Sequence, residues 1–226
     1  MIGVAVPVKD LINAKQRLLS VLQPAERIEL ARAMLRDVLR ALAVARLDVV
    51  WVVTRDAGVM ATAQPLGAEI LAEAANQGHT AAVAHAQAHA TKLGARLFAT
   101  IPGDVPCVTA ADVRALVDTA ASSPSAVFAP SRSGLGTNGV ALSPPDVMPL
   151  TFGEPSFENH LTTARRRGLL PRVLDLPRLG LDIDGRDDLR VLLAEGSDTE
   201  SGRLLAAWSM ADRLDRESPL GTRRVS

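Results

Sequence analysis

The sequence has no tyrosine, and aromatic residues make up only 3% of it. That scarcity excludes a base-stacking platform for single-stranded nucleic acid. Lys and Arg total 25 and Asp and Glu total 25, so the net charge is +0 at neutral pH. No broad field of either sign favours DNA, RNA or an anionic membrane. One cysteine, Cys107, admits no internal disulfide and fits a reducing compartment. No apolar run is long enough to span a bilayer, and the opening MIGVAVPVK lacks the basic start and the length of a secretory leader. These absences point to a soluble, cytoplasmic protein with no nucleic-acid and no membrane partner.

Lysine is scarce in a more informative way. Three of the 25 basic residues are lysine, and two of these, Lys9 and Lys15, fall in the first fifteen positions. Chance could place them there. The alternative is that both positions need a compact ammonium, which arginine does not supply.

Hydrophobic residues make up 47% of 226, enough for one domain with a substantial core. Residues 1–214 are read as that domain. The Pro, Gly and basic residues of 215–226 predict a disordered tail. Buried strands are expected at 2–8, 48–54, 68–71 and 96–101, and further strands at 125–130 and 137–143. Extended pieces are expected at 169–174 and 179–183. Helices are expected at 24–46, 76–93, 109–121, 156–168, 186–194 and 202–214, with Thr109 and Ser156 as N-caps and Gly168 as a stop. Arg32, Arg36 and Arg40 read as a solvated stripe on the first helix. Strands and helices alternate over the first 130 residues, which implies an α/β fold with a mostly parallel central sheet. Ligands in such sheets bind beyond the carboxyl ends of the strands.

Six stretches could carry chemistry there. VPVKDLINAKQRL, residues 6–18, leaves the first strand with Lys9 and Lys15, which suits a triphosphate, though a solvated surface loop would read the same. It is no P-loop, because GxxxxGKS is absent. In EAANQGHTAAVAHA, residues 73–86, Asn76 and Gly78 sit at a loop-to-helix junction, where they could meet a base or merely cap the helix. In FATIPGDVPCVT, residues 98–109, Asp104 follows a strand on a backbone stiffened by Pro102 and Pro106, and Gly103 allows close approach of a ligand. One carboxylate with phosphate oxygens and waters is a common way to hold Mg²⁺.

GLGTNGVAL, residues 134–142, offers backbone N–H groups and the Thr137 hydroxyl, or simply a hairpin turn. FGEPSFENH, residues 152–160, places Ser156 at a helix start, an anion site or an ordinary cap. In LDIDGRDDL, residues 181–189, Asp182 and Asp184 alternate around Ile183 and share one face of an extended segment. They are candidate metal ligands beside Asp104, while Asp184, Asp187 and Asp188 also suit a helix start. His79, His85 and His89 read as a polar helix face, since no HExxH and no nearby Cys accompany them. Cys107 reads as a buried, inert thiol.

The order of these stretches resembles the 2-phospho-L-lactate guanylyltransferase family of coenzyme F-420 biosynthesis, which includes phosphoenolpyruvate and 3-phospho-D-glycerate guanylyltransferases. PVKDLINAKQRL resembles the family's PVK-x-x-x-x-AK-x-RL signature, and IPGDVPCVT its IP-A-DLP-x-L segment. The GTN strand, the FG-x-x-SF-x-x-H helix start and the late LDID complete the likeness, which runs from about residue 2 to 190. Gly103 stands where the family often has Ala, Cys107 where Leu is usual, and Gly139 where Ala is common. None of these changes removes a functional group.

The resemblance implies a nucleotidyltransferase (nucleotide-diphospho-sugar transferase-like) Rossmannoid fold. It implies transfer of GMP from GTP to a phosphorylated three-carbon acid, with release of pyrophosphate. The implied roles are Lys9 and Lys15 on the triphosphate, Asp104 with Asp182 or Asp184 on Mg²⁺, Asn76, Gly78 and Gly103 against GTP, and Thr137, Gly153 and Ser156 around the acceptor's phosphate. The implied partners are GTP, the acid and the downstream transferase of the pathway, and a homodimer is compatible with the family. Rival readings are a molybdenum-cofactor or sugar-phosphate nucleotidyltransferase, against which the absence of a GGxSxRMGxxK loop counts, and a non-catalytic nucleotide sensor on the same fold.

Overall fold

The computed structural model describes residues 1–73, 75 and 77–216. Its chain order begins with β1 (Ile2–Pro7), α1 (Pro24–Val44), β2 (Val49–Thr54), α2 (Ala57–Ala63), β3 (Glu69–Ala72), α3 (His79–Lys92), β4 (Leu97–Thr100) and α4 (Ala110–Thr119). It continues with β5 (Ser125–Pro130), β6 (Thr137–Ser143), α5 (Ser156–Arg166), β7 (Arg172–Val173), α6 (Pro177–Gly180), α7 (Arg186–Glu195), α8 (Glu200–Ala207) and α9 (Met210–Arg216).

The strands form one seven-stranded sheet in the order β3-β2-β1-β4-β6-β5-β7. β1 pairs in parallel with β2 and β4, β2 with β3, and β5 with β7, while β6 runs antiparallel to both neighbours. The fold is therefore the expected α/β arrangement with a mostly parallel sheet. Every residue of β1 is buried, as a central strand covered on both faces requires. Gly3 is needed there because a Cβ would stand 2.3 Å from the Trp51 ring.

The chain runs β1 to β3 toward one edge and then places β4 on the other side of β1. The carboxyl ends of β1 and β4 thus flank a switch point, where a crevice opens. β6 enters the same end from the opposite direction. Thr100 pairs with Val140, so the antiparallel register brings Thr137 level with the loop that follows β4.

Local chemistry sets most boundaries. Pro24 occupies the first turn of α1, and the Gln23 N–H donates to Glu26 Oε2 at 2.9 Å. Thr109 caps α4 as expected, accepting from the Asp112 N–H at 3.2 Å. Gly168, at φ 76°, follows the end of α5. Cores lie on both faces of the sheet, one under α1, α2 and α4 and the other under α3 and α5. A third apolar cluster joins Leu18, Leu22, Leu30 and Met34 to Ile183, Leu189, Leu205 and Met210. The C-terminal helices therefore pack beneath the loop that carries the early lysines.

Several expectations need correction. α3 begins at His79 rather than Asn76, with Gly78 as its N-cap. Ser156 is not an N-cap: Pro155 precedes the helix and Ser156 is its first residue. Residues 177–180 form a helical turn that takes the first two positions of the extended piece expected at 179–183, because Pro177 suits a first helical position. The expected helix at 202–214 is two, α8 and α9, parted at Trp208 and Ser209, where Ser209 has φ 51°. Arg36 and Arg40 are not merely solvated, since both pair with Glu200. The short α2 was not foreseen. It is capped by Asp56, which accepts from the Gly58 and Val59 N–H groups. α9 runs through Arg216, two residues past the expected domain boundary, and the rest of the expected tail lies outside the described residues. Among the described residues, no helix is long and apolar enough to cross a membrane.

Candidate active site

The loop after β1 folds as two 3-10 turns, Leu11–Asn13 and Gln16–Leu18, with Lys15 between them at φ 54°. A positive φ is uncommon for a non-glycine residue and marks a backbone that its surroundings hold in place. Arg27 of α1 supplies one such hold. It is 4% exposed and donates to the Ala14 carbonyl at 2.5 Å. Its Nε has no hydrogen-bond partner among the described residues.

This backbone sends the Lys15 side chain between two carboxylates. The ammonium donates to Asp104 Oδ2 at 2.5 Å and to Asp184 Oδ1 at 3.0 Å. Burial alone would push the Lys15 pKa down, but Asp104 and Asp184 outweigh it and hold it above its ordinary value. Burial likewise opposes the Asp104 charge, and the Lys15 ammonium overrides it, so the carboxyl sits below the usual range. The Asp104 carbonyl accepts from the Ile183 N–H at 3.1 Å, which ties the loop after β4 to the late acidic segment.

Asp182 is held differently. Its Oδ1 accepts from Asn138 Nδ2 at 3.0 Å, and the same amide reaches the carbonyls of Leu179 and Gly180. Burial raises its pKa, the Asn138 hydrogen bond partly offsets that, and the charges of Asp104 and Asp184 add to the rise. The two late aspartates thus part company, one on the Lys15 side and one on the Asn138 side. Among the described residues, no three His, Cys, Asp or Glu side chains are grouped as a ready metal site.

Above these groups opens a cavity of about 400 Å³, lined by Lys9, Lys15, Gly103, Asp104 and Asp184 together with His79. Lys9 is exposed and has no ion-pair partner among the described residues. Sequence reasoning placed His79 on a polar helix face, yet it opens α3 at the cavity wall. Its ring lies 4.5 Å from that of Phe152, and burial, partly opposed by Asp104, lowers its pKa to about 4. Its signal was its position, next to Gly78 at a junction facing the ligand edge. Gly78 has φ 94° and does not line the cavity. Asn76 lies outside the described residues.

Thr137 and Ser156 form a second cluster beside the first. The Ser156 hydroxyl donates to Thr137 Oγ1 at 3.2 Å, and both side chains are buried. The N-terminus of α5 is partly committed, since the Phe157 N–H donates to the Leu135 carbonyl. Gly153, at φ 111°, carries the chain into this helix with open space where a side chain would project. His160, given no role in the sequence reading, contacts Thr137 Oγ1 through Nδ1 at 3.0 Å. Its signal was its spacing of four from Ser156, which puts both on one helix face. Cys107 is buried, and burial pushes its thiol up to about 11, in keeping with an inert role.

The arrangement brings a pair of lysines and a pair of hydroxyls to the same end of the sheet with carboxylates between them. Comparison with known proteins gives the family. The family model described as guanylyl transferase CofC like matches residues 2–226. The chain is 41% identical over 191 residues to a phosphoenolpyruvate guanylyltransferase of Rubrobacter xylanophilus, covering 84% of this chain and 93% of that one. It is 38% identical over 200 residues to a 2-phospho-L-lactate guanylyltransferase of Methanothermobacter thermautotrophicus, covering 88% and 87%. Among solved structures, a protein of Desulfovibrio desulfuricans described as a nucleotide-diphospho-sugar transferase superposes with a TM-score of 0.77 at 19% identity, over 97% of this chain and 99% of that one. That likeness shows the shared fold. The chain belongs to the CofC-like guanylyltransferase family and is a nucleotidyltransferase.

Proposed function

We propose that the protein transfers GMP from GTP to phosphoenolpyruvate, with pyrophosphate as the leaving group. The observation that carries this reading is the placement of the Lys9–Lys15 cavity and the Thr137–Ser156 hydroxyls on either side of the Asp104 loop. Two anions must meet for the reaction, and each finds donors there. The name of the relative that is 41% identical supports phosphoenolpyruvate among the phosphorylated three-carbon acids.

In this reading Lys9 and Lys15 draw the triphosphate into the cavity and steady the leaving pyrophosphate. Gly103 lets the nucleotide approach the backbone. Thr137, Gly153 and Ser156 hold the acceptor's phosphate. An oxygen of that phosphate attacks the α-phosphorus, and the bond from the α-phosphorus to the bridging oxygen breaks. The acceptor's phosphate is already a dianion near neutral pH, so the chain needs no general base.

The donor set suits Mg²⁺, because Asp104, Asp182 and Asp184 are hard oxygen ligands. The raised pKa of Asp182, with no cation paired to it among the described residues, marks a side of the cluster that lacks positive charge. A bound Mg²⁺ would neutralise phosphate charge in the transition state. Asp104 with Asp182 or Asp184 would hold it, with Lys15 released toward the nucleotide.

The test measures pyrophosphate release with GTP and Mg²⁺. Phosphoenolpyruvate, 2-phospho-L-lactate and 3-phospho-D-glycerate are offered separately, with the downstream transferase and its deazaflavin acceptor present. Release with phosphoenolpyruvate alone is expected. Release with another acid would move the assignment within the family. Silence with all three, from folded protein that still binds GTP, would overturn the reading.

A further inference from the structure

His160 lies within α5 and is 2% exposed. Its ring stacks on Phe128 with the planes 7° apart and the centroids 5.5 Å apart. Phe152 meets it nearly edge-on at 5.1 Å. The ring therefore has little freedom to turn.

Its proton is placed by the backbone. The Thr151 N–H reaches Nε2 at 3.1 Å, and a backbone N–H can only donate. Nε2 is therefore an acceptor, and the neutral ring carries its hydrogen on Nδ1. Burial keeps the ring neutral, with a pKa of about 4. Nδ1–H then donates to Thr137 Oγ1 at 3.0 Å, and the Ser156 hydroxyl donates to the same oxygen.

A hydroxyl oxygen has two lone pairs. Both of those on Thr137 are filled by incoming hydrogen bonds. Among the described residues these are the only two partners of that oxygen. The Thr137 hydroxyl is left with its own hydrogen to give and no capacity to accept. Such a group suits an anionic oxygen and rejects a ligand that can only donate.

We infer that His160 is a positioning residue for the acceptor acid: its Nδ1–H fills the Thr137 oxygen and so commits the Thr137 hydroxyl hydrogen to an anionic oxygen of the acid. The inference rests on the proposed role of Thr137 at the acceptor site. The relay runs from the Thr151 N–H through the imidazole to the Thr137 hydroxyl, and each member has one permitted direction. The ring touches no reacting atom, so its effect falls on recognition of the acid.

Two variants separate this role from simple packing. In His160→Asn the amide nitrogen falls near the place of Nδ1 and can still donate to Thr137. In His160→Gln the amide oxygen falls near Nε2 and can accept from Thr151, but Thr137 loses its donor. The His160→Gln variant is expected to raise KM for the acid about tenfold, the worth of one hydrogen bond in a charged site, while KM for GTP moves less than about twofold. His160→Asn is expected to keep most of the acid affinity. The ¹⁵N shifts of the His160 ring in the wild-type protein at neutral pH should show a neutral ring protonated at Nδ1.

Equal losses in the two variants, or an equal rise in both KM values, would overturn the inference while leaving the proposed function in place. So would a ring protonated at Nε2. Wild-type turnover with none of the three acids would overturn the proposed function, and this inference with it.

Discussion

The Lys15 ammonium and the Asp104 carboxylate, 89 residues apart in sequence, meet at 2.5 Å. The same ammonium reaches Asp184, 169 residues away. One side chain thus clasps the loop after β1, the loop after β4 and the late acidic segment. Lys15→Met should leave two carboxylates facing each other without their cation. Asp104 and Asp184 are partly open to water, so the stability cost is expected at about 1–3 kcal/mol, below that of a fully buried pair. Turnover should fall about a hundredfold or more. The double variant Lys15→Met/Asp104→Asn should regain most of the stability and none of the activity. Denaturant midpoints and pyrophosphate release check the two halves separately. Recovery of activity in the double variant would contradict the assignment of both residues.

Asp182 gives the opposite pattern. Its charge is disfavoured by burial and by its acidic neighbours, and it has no cation of its own among the described residues. Asp182→Asn keeps an oxygen to accept from Asn138 and removes an unfavourable charge. The unfolding midpoint should stay level or rise. The Mg²⁺ concentration for half-maximal activity should rise at least about tenfold. An unchanged Mg²⁺ dependence would remove Asp182 from the ligand set.

Arg27 separates geometry from charge. It is a buried guanidinium with no carboxylate partner among the described residues, and its role is to hold the Ala14 carbonyl. Arg27→Met preserves the length of the side chain and removes a costly buried cation, so melting should change little. The left-handed Lys15 backbone then loses its neighbouring anchor, and KM for GTP should rise about five- to tenfold. An unchanged KM for GTP would show that the apolar cluster below the loop holds Lys15 without help.

Much of this arrangement was legible in the sequence, for reasons tied to particular residues. β5 and β6 were read with the boundaries observed, because Pro130 and the Gly134–Gly136 turn punctuate them. The sheet's parallel character followed from the alternation of apolar strands with amphipathic helices. Lys15 and Asp104 were singled out in loops that leave strands and Asp184 in an extended acidic segment, and topology does gather strand ends. Their mutual contact was not legible, since no local pattern spans 169 residues. α2 escaped because seven residues with an internal Gly58 carry too little periodicity, although Asp56 marked its start. Ser156 was misread as a cap because Pro155, which has no side-chain acceptor, takes that place. The division of labour between Asp182 and Asp184 depended on Asn138, a strand residue whose partners lie about forty positions on.

Burial of His160 carries a pH dependence with a definite sign. The ring titrates at about 4 in the folded protein against an ordinary 6.5. Above 6.5 both the folded and the unfolded chain hold a neutral ring, and its contribution is complete. As pH falls below 6.5 the unfolded chain takes up a proton that the folded chain refuses, so stability is lost progressively down to about 4. At about 1.4 kcal/mol per pH unit, the loss over that window is about 3 kcal/mol. Below the folded value both states are protonated and this group adds nothing more. His160→Asn, which cannot titrate, should remove that part of the slope. The check is a set of denaturant midpoints for both proteins between pH 7 and 4, compared as a difference so that the other carboxylates and histidines cancel. A difference that stays flat across the window would mean that the buried ring takes up its proton without opening the fold.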